Sequence, residues 1–158
     1  MKISDEVLEV SDLDWFAVDQ NGFLGHFATG RFGSVPKSIL ESKELLQEIE
    51  DYFRKHVPKT KQSTIHPKWS DNADIDPKDS RSVNMYLNDF KQMASCGLYS
   101  YDAYNTGPRP SSYFLVAFPD MPLSIEDLPD NIRQMIERTP LPDVSFRFAS
   151  EIVSDKII

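Results

Sequence analysis

A chain of 158 residues with 40% hydrophobic and 11% aromatic side chains can build one ordinary core, which excludes disorder throughout and suggests a single domain over residues 1–158. Its formal charge of −8, from 25 acidic against 17 basic residues, argues against direct nucleic-acid binding, which needs a stripe of Lys and Arg to displace counterions. No run approaches the ~20 apolar residues of a membrane span, the start is too acidic for a signal peptide, and the one cysteine, Cys96, can form no internal disulfide; the expectation is a soluble cytoplasmic protein without a membrane partner.

In chain order, residues 13–29 come first. Two aromatic-rich runs flank Asn21-Gly22, the pair best suited to the positive φ angles of a tight hairpin. With a two-residue loop, Gln20 faces Phe23; Phe16, Val18, Phe23 and Phe27 then share an inner face, and Trp15, Ala17, Asp19, Leu24 and His26 an outer one. A three-residue loop with a bulge at Gly22 would instead set His26 opposite Phe16. Glycines make 30–36 a loop. The period then changes to about 3.6: Leu45, Leu46, Ile49, Tyr52 and Phe53 form one stripe of a helix starting near Lys37 and stopping before Val57-Pro58.

Residues 57–75 are polar, contain Pro58 and Pro67, and read as a long loop in which Trp69 should dock somewhere. Asp76 as N-cap and Pro77 at the first helical position open a second helix carrying Val83, Tyr86, Leu87, Phe90, Met93 and Ala94, closed by Gly97. Runs 98–104 and 112–118 read as a hairpin with a long connection, 105–110. Three prolines make 119–129 irregular, a short helix follows over about 130–138, and Val144 to Ala149 alternates like a half-exposed strand. The sum is an α+β fold with a mainly antiparallel sheet of about five strands.

No motif assigns chemistry. His56 and His66 lack metal-binding spacing, and Asp71, Asp74, Asp76 and Asp79 miss the order of a calcium loop. Cys96 sits at a helix C-terminus, where a thiol pKa rises. The glycines at 22, 25, 30 and 33 form no phosphate-binding loop. No catalytic residue, cofactor or metal is therefore assigned. A partner-binding role ranks above catalysis, with Trp15, Asp19 and His26 on the outer hairpin face and Tyr99 and Tyr101 sharing a face of the 98–104 strand as contacts. A basic protein partner suits the net charge. The alternatives are a hydrolase or transferase using His26 with Asp14 or Asp19, and a regulatory domain that self-associates through a sheet edge into a homo-oligomer.

Two blocks, Asp14-Trp15-Phe16-Ala17-Val18-Asp19 with Asn21-Gly22 and Gly25-His26-Phe27, and Gly97 to Asp102, resemble a group of small uncharacterised bacterial cytoplasmic proteins. Those are similar in size and acidity to the immunity proteins of toxin systems. The resemblance implies a bacterial origin and an inhibitor that covers a cationic toxin; it carries no catalytic residue with it.

Overall fold

The computed structural model describes residues 1–10, 12–30, 33–105 and 111–157. One mixed sheet organises the chain. Its strands are β1 (Asp14–Asp19), β2 (Leu24–Ala28), β3 (Ser63–Ile65), β4 (Tyr99–Ala103), β5 (Tyr113–Pro119), β6 (Pro140–Leu141) and β7 (Glu151–Ile152). They run in the order β3-β5-β4-β2-β1-β6, and β7 also pairs β5. The helices are α1 (Asp5–Val10), α2 (Lys37–Leu40), α3 (Lys43–Asp51), α4 (Trp69–Asn72), α5 (Ser80–Ser95) and α6 (Asp130–Glu137).

The combination of helices and sheet is the one expected, but the sheet has seven strands and is mixed. The β1–β2, β4–β5, β3–β5 and β5–β7 pairs are antiparallel, whereas β2–β4 and β1–β6 are parallel. Parallel neighbours need long crossovers, and residues 29–98 supply one with α2 to α5. Hairpin signals see only local pairing, so the crossover and the very short strands escape them.

The hairpin takes the second of its two registers. Gly22 donates its N–H to Asp19 O at 3.2 Å, and Asp19 N–H reaches Phe23 O at 2.9 Å; Gly22 stands at φ +83°. This three-residue loop sets Phe16 opposite His26 and Trp15 opposite Phe27. Asp19 fixes the choice: Oδ1 accepts from the N–H groups of Asn21 and Phe23, both at 2.9 Å. The register moves His26 onto the face of Phe16, and Trp15 onto the face of Phe27.

The two faces of the sheet are covered differently. Helix α5 and a π-helical turn over Tyr52–His56 lie on the Phe16/His26 face, where Phe53 stacks on Phe16 at 5.1 Å and Phe90 meets His26 at 6.2 Å. The other face carries an aromatic layer of Trp15, Phe27, Tyr101 and Tyr113, closed by Phe146. The expected strand 144–149 is instead a turn, Phe148 N–H bonding Ser145 O, that drives Phe146 inward. Its alternation reflects docking of single side chains, not a strand.

Gly25 exists where it does to admit that ring, since a Cβ there would stand 2.6 Å from Phe146 Cζ. Gly25→Ala should cost about 1–3 kcal/mol by overpacking, read as a lower urea midpoint. An unchanged midpoint would mean that the turn yields freely.

Three further expectations are corrected. The helix from Lys37 is split, because Ser42 is extended and its Oγ accepts from Leu45 N–H at 3.2 Å, capping a new helix. Within the long loop 57–75 lie β3 and α4, with Trp69 stacked on Tyr86 at 5.5 Å. Helix α5 begins three residues late: Asp79 caps it through Ser82 N–H, while Asp76 closes a turn onto Lys78 N–H. Residues 106–110 of the connection expected between β4 and β5, and residues 31–32 of the glycine loop, lie outside the described residues.

Candidate functional site

Three adjacent strands and two helical segments bring a polar cluster together on the Phe16/His26 face. His26 on β2 is flanked by Asp14 on β1 and by Ser100, its register partner on β4. Ser100 Oγ lies 2.7 Å from His26 Nδ1, and Asp14 Oδ1 lies 2.9 Å from Nε2. An ionised carboxylate only accepts, so Nε2 carries the hydrogen given to Asp14; on a neutral ring Nδ1 then accepts from the Ser100 hydroxyl.

The other oxygen of Asp14 accepts from the Arg54 guanidinium at 3.0 Å. Arg54 belongs to the π-helical turn and also binds Glu50 of α3 through Nε at 2.9 Å and Asp89 of α5. One cation therefore ties the sheet to both helical segments. Burial works to raise the Asp14 carboxyl, but His26 and Arg54 outweigh it and hold it below its ordinary value. Burial raises Glu50, and the neighbouring Asp14 adds to that.

A second acid stands beside this cluster. Asp102 on β4 accepts from the Tyr86 hydroxyl of α5 at 2.5 Å and from Ala103 N–H at 2.9 Å. Burial pushes it up to about 6 against those two bonds, with Asp12 adding repulsion. Asp12 is itself raised, by burial first and by Asp14 and Asp89 as well, although Gly30 N–H opposes.

Ser100, His26 and Asp14 make a serine–histidine–carboxylate relay, with the two ring nitrogens exchanged relative to the usual catalytic order. His26 and Ser100 are both 0% exposed. Phe16 and Phe90 pack against the imidazole. Asp14, His26 and Asp89 also each offer a ligand atom within 4.8 Å of the others. Arg54 engages both carboxylates, so a guanidinium already supplies the positive charge that a metal ion would bring.

The five expected contact residues are interior. Trp15 is 0% exposed, stacks on Phe27 at 4.1 Å and donates from Nε1 to Tyr113 Oη at 3.1 Å. Tyr101 donates its hydroxyl to Ala149 O at 2.7 Å, and Tyr99 packs on Phe146. Asp19 Oδ2 accepts from Phe146 N–H at 2.8 Å and so ties the hairpin to the C-terminal turn. Asp19, Tyr99 and Tyr101 therefore lie beneath residues 144–150, Trp15 lies on the same sheet face against Phe27 and Tyr113, and His26 lies on the opposite face; together they offer no outer contact surface. Of the alternative polar set, Asp14 and His26 meet, whereas Asp19 does not join them.

Ser100, Glu50, Arg54 and Asp89 were not anticipated. Only the i,i+4 spacing of Glu50 and Arg54 hinted at a pair; Ser100 and Asp89 leave no local signal. Among the described residues no helix is long and apolar enough to cross a membrane. Compared with family models, curated proteins and solved structures, the chain finds no match.

Proposed function

We propose that this chain is a non-enzymatic, partner-binding protein of bacterial origin, an immunity-type inhibitor that acts in the cytoplasm by covering a cationic toxin. The observation that supports it is the net charge of −8, from 25 acidic against 17 basic residues. Exposed acids such as Glu48, Asp71, Asp74 and Asp130 and exposed cations such as Lys37, Lys78 and Lys91 alike make no ion pair among the described residues, so the excess of acids carries to the surface. An acidic outward field speeds encounter with a basic protein.

A hydrolytic reading draws on the Ser100–His26–Asp14 relay alone, and the burial of its nucleophile and base opposes it. The relay is better understood as a satisfied polar knot beneath the helices.

The test is co-expression with the product of the neighbouring gene, followed by gel filtration at low and high salt. The expected result is a joint peak that weakens as salt screens the charges. Separate elution at low salt, under native expression, would sink the reading.

A further inference from the structure

We propose that the cleft between α3 and the start of α6 seats lysine or arginine side chains of a basic protein partner. This rests on the partner-binding reading and gives it a place and a chemistry. The cleft encloses about 750 Å³, within the roughly 300–1,000 Å³ of pockets that hold small groups.

Its construction follows from the spacing along α3. Glu44, Glu48 and Asp51 fall at successive intervals of four and three, so they share a stripe. Leu46 and Ile49 are buried on the inner side of the same helix. The carboxylates form one wall of the cleft, and Tyr52, Pro129 and Ile132 give it an apolar floor. Tyr52 is held in place by Phe53, ring edge to face at 5.2 Å.

A floor of this kind beside a wall of acids suits a side chain with an apolar stem and a cationic head. The methylenes of Lys or Arg lie on Ile132 and Pro129, the Tyr52 ring attracts the cation, and the carboxylates accept its hydrogens. Internal cations engage two of the three acids of the wall and leave Glu48 open. The Met1 ammonium pairs with Glu44, and Lys55 reaches Asp51 at 3.5 Å. Lys43 stands on the rim, and Glu48 makes no ion pair among the described residues. Exposed pairs of this sort contribute little, so an incoming cation displaces them readily.

The probe is a fluorescein-labelled nona-arginine peptide added to the full chain, followed by anisotropy and by amide chemical-shift mapping. Shifts are expected to concentrate on residues 44–52 and 130–132. Glu48→Lys with Asp51→Lys should weaken binding by about tenfold or more, consistent with like-charge juxtaposition. Asp71→Lys with Asp74→Lys, the same charge change on exposed acids elsewhere, should alter it less than about twofold. Tyr52→Leu keeps an apolar contact with Phe53 and should weaken the peptide through loss of the ring face.

Absence of binding, or shifts elsewhere with the Glu48/Asp51 variant unimpaired, overturns the cleft. The two proposals fail separately. A complex with the neighbouring gene product that survives the Glu48/Asp51 changes removes the cleft and leaves the partner; a peptide seated in the cleft without such a complex does the reverse.

Discussion

Arg54→Ala is expected to destabilise the fold by about 3 kcal/mol, the low end of what removal of one member of a buried ion pair costs. The low end applies because the Arg54 side chain is 27% exposed, which leaves part of its field screened by water. Its loss strands Asp14, Glu50 and Asp89 near one another, and three carboxylates without a cation repel. For a domain of this size the change corresponds to a fall in Tm of about 6–12 °C.

Two companion variants separate charge from geometry. Arg54→Lys restores the positive charge but lacks the fork that reaches three carboxylates, so it should recover only part of the loss. Glu50→Gln with Asp89→Asn in the Arg54→Ala background should recover part by removing the repulsion. A loss below about 1 kcal/mol, the range of exposed pairs, would show that the guanidinium decorates the cluster without holding it.

Asp102→Asn is expected to raise stability at pH 8 and to raise it about half as much at pH 5. The folded carboxyl titrates at about 6, against ~3.9 in an unfolded chain. Between those values the folded state holds a proton that the unfolded state has released. Stability therefore rises as pH falls from above 6 towards 4, and at pH 8 the ionised buried acid costs about 3 kcal/mol.

The amide removes that cost, with its oxygen accepting from Ala103 N–H and its NH2 donating to the Tyr86 oxygen. Raised Asp12 and Glu50 act in the same direction. Asp14 acts in the opposite one: its carboxyl is lowered, so its contribution is present above its ordinary value of 3.8 and is lost as pH falls through the lower folded one. The balance of these groups favours the fold most towards about pH 4, below the raised carboxyls and before Asp14 takes up its proton. Calorimetry of both proteins at pH 8 and pH 5 reads the effect. Equal destabilisation at both values would mean that the Asp102–Tyr86 bond needs the carboxylate itself.

Several elements are legible from local chemistry. Asn21-Gly22 announces a hairpin, the stripe from Val83 to Ala94 announces α5, and Pro58 lies just past the end of the turn at His56. The sequence offers Asp14 and Asp19 alike as carboxylates for His26, and the hairpin register chooses Asp14. The split at Ser42 carried a local signal, since serine favours a helix cap over a helix interior.

The fate of the aromatic side chains was not legible in the same way. Trp15, Tyr99 and Tyr101 look alike whether they face a partner or the interior, because a strand with large residues on both faces shows no inside. Over Tyr99 and Tyr101 the cover is Phe146, about 120 residues from the hairpin, and nothing in its own segment records where it docks. The cluster around Arg54 has the same origin: Asp14 and Asp89 lie 40 and 35 residues from it in sequence.

By itself the sequence determined the kinds of element, the acidic balance and the presence of a hairpin, all of which depend on residues within a turn or two of one another. The tertiary structure alone decided the hairpin register, the parallel β2–β4 and β1–β6 pairings, and the burial of the imidazole between Ser100 and Asp14. The reason is that a side chain's periodicity says it has two faces, whereas which face meets water depends on segments that return from far along the chain.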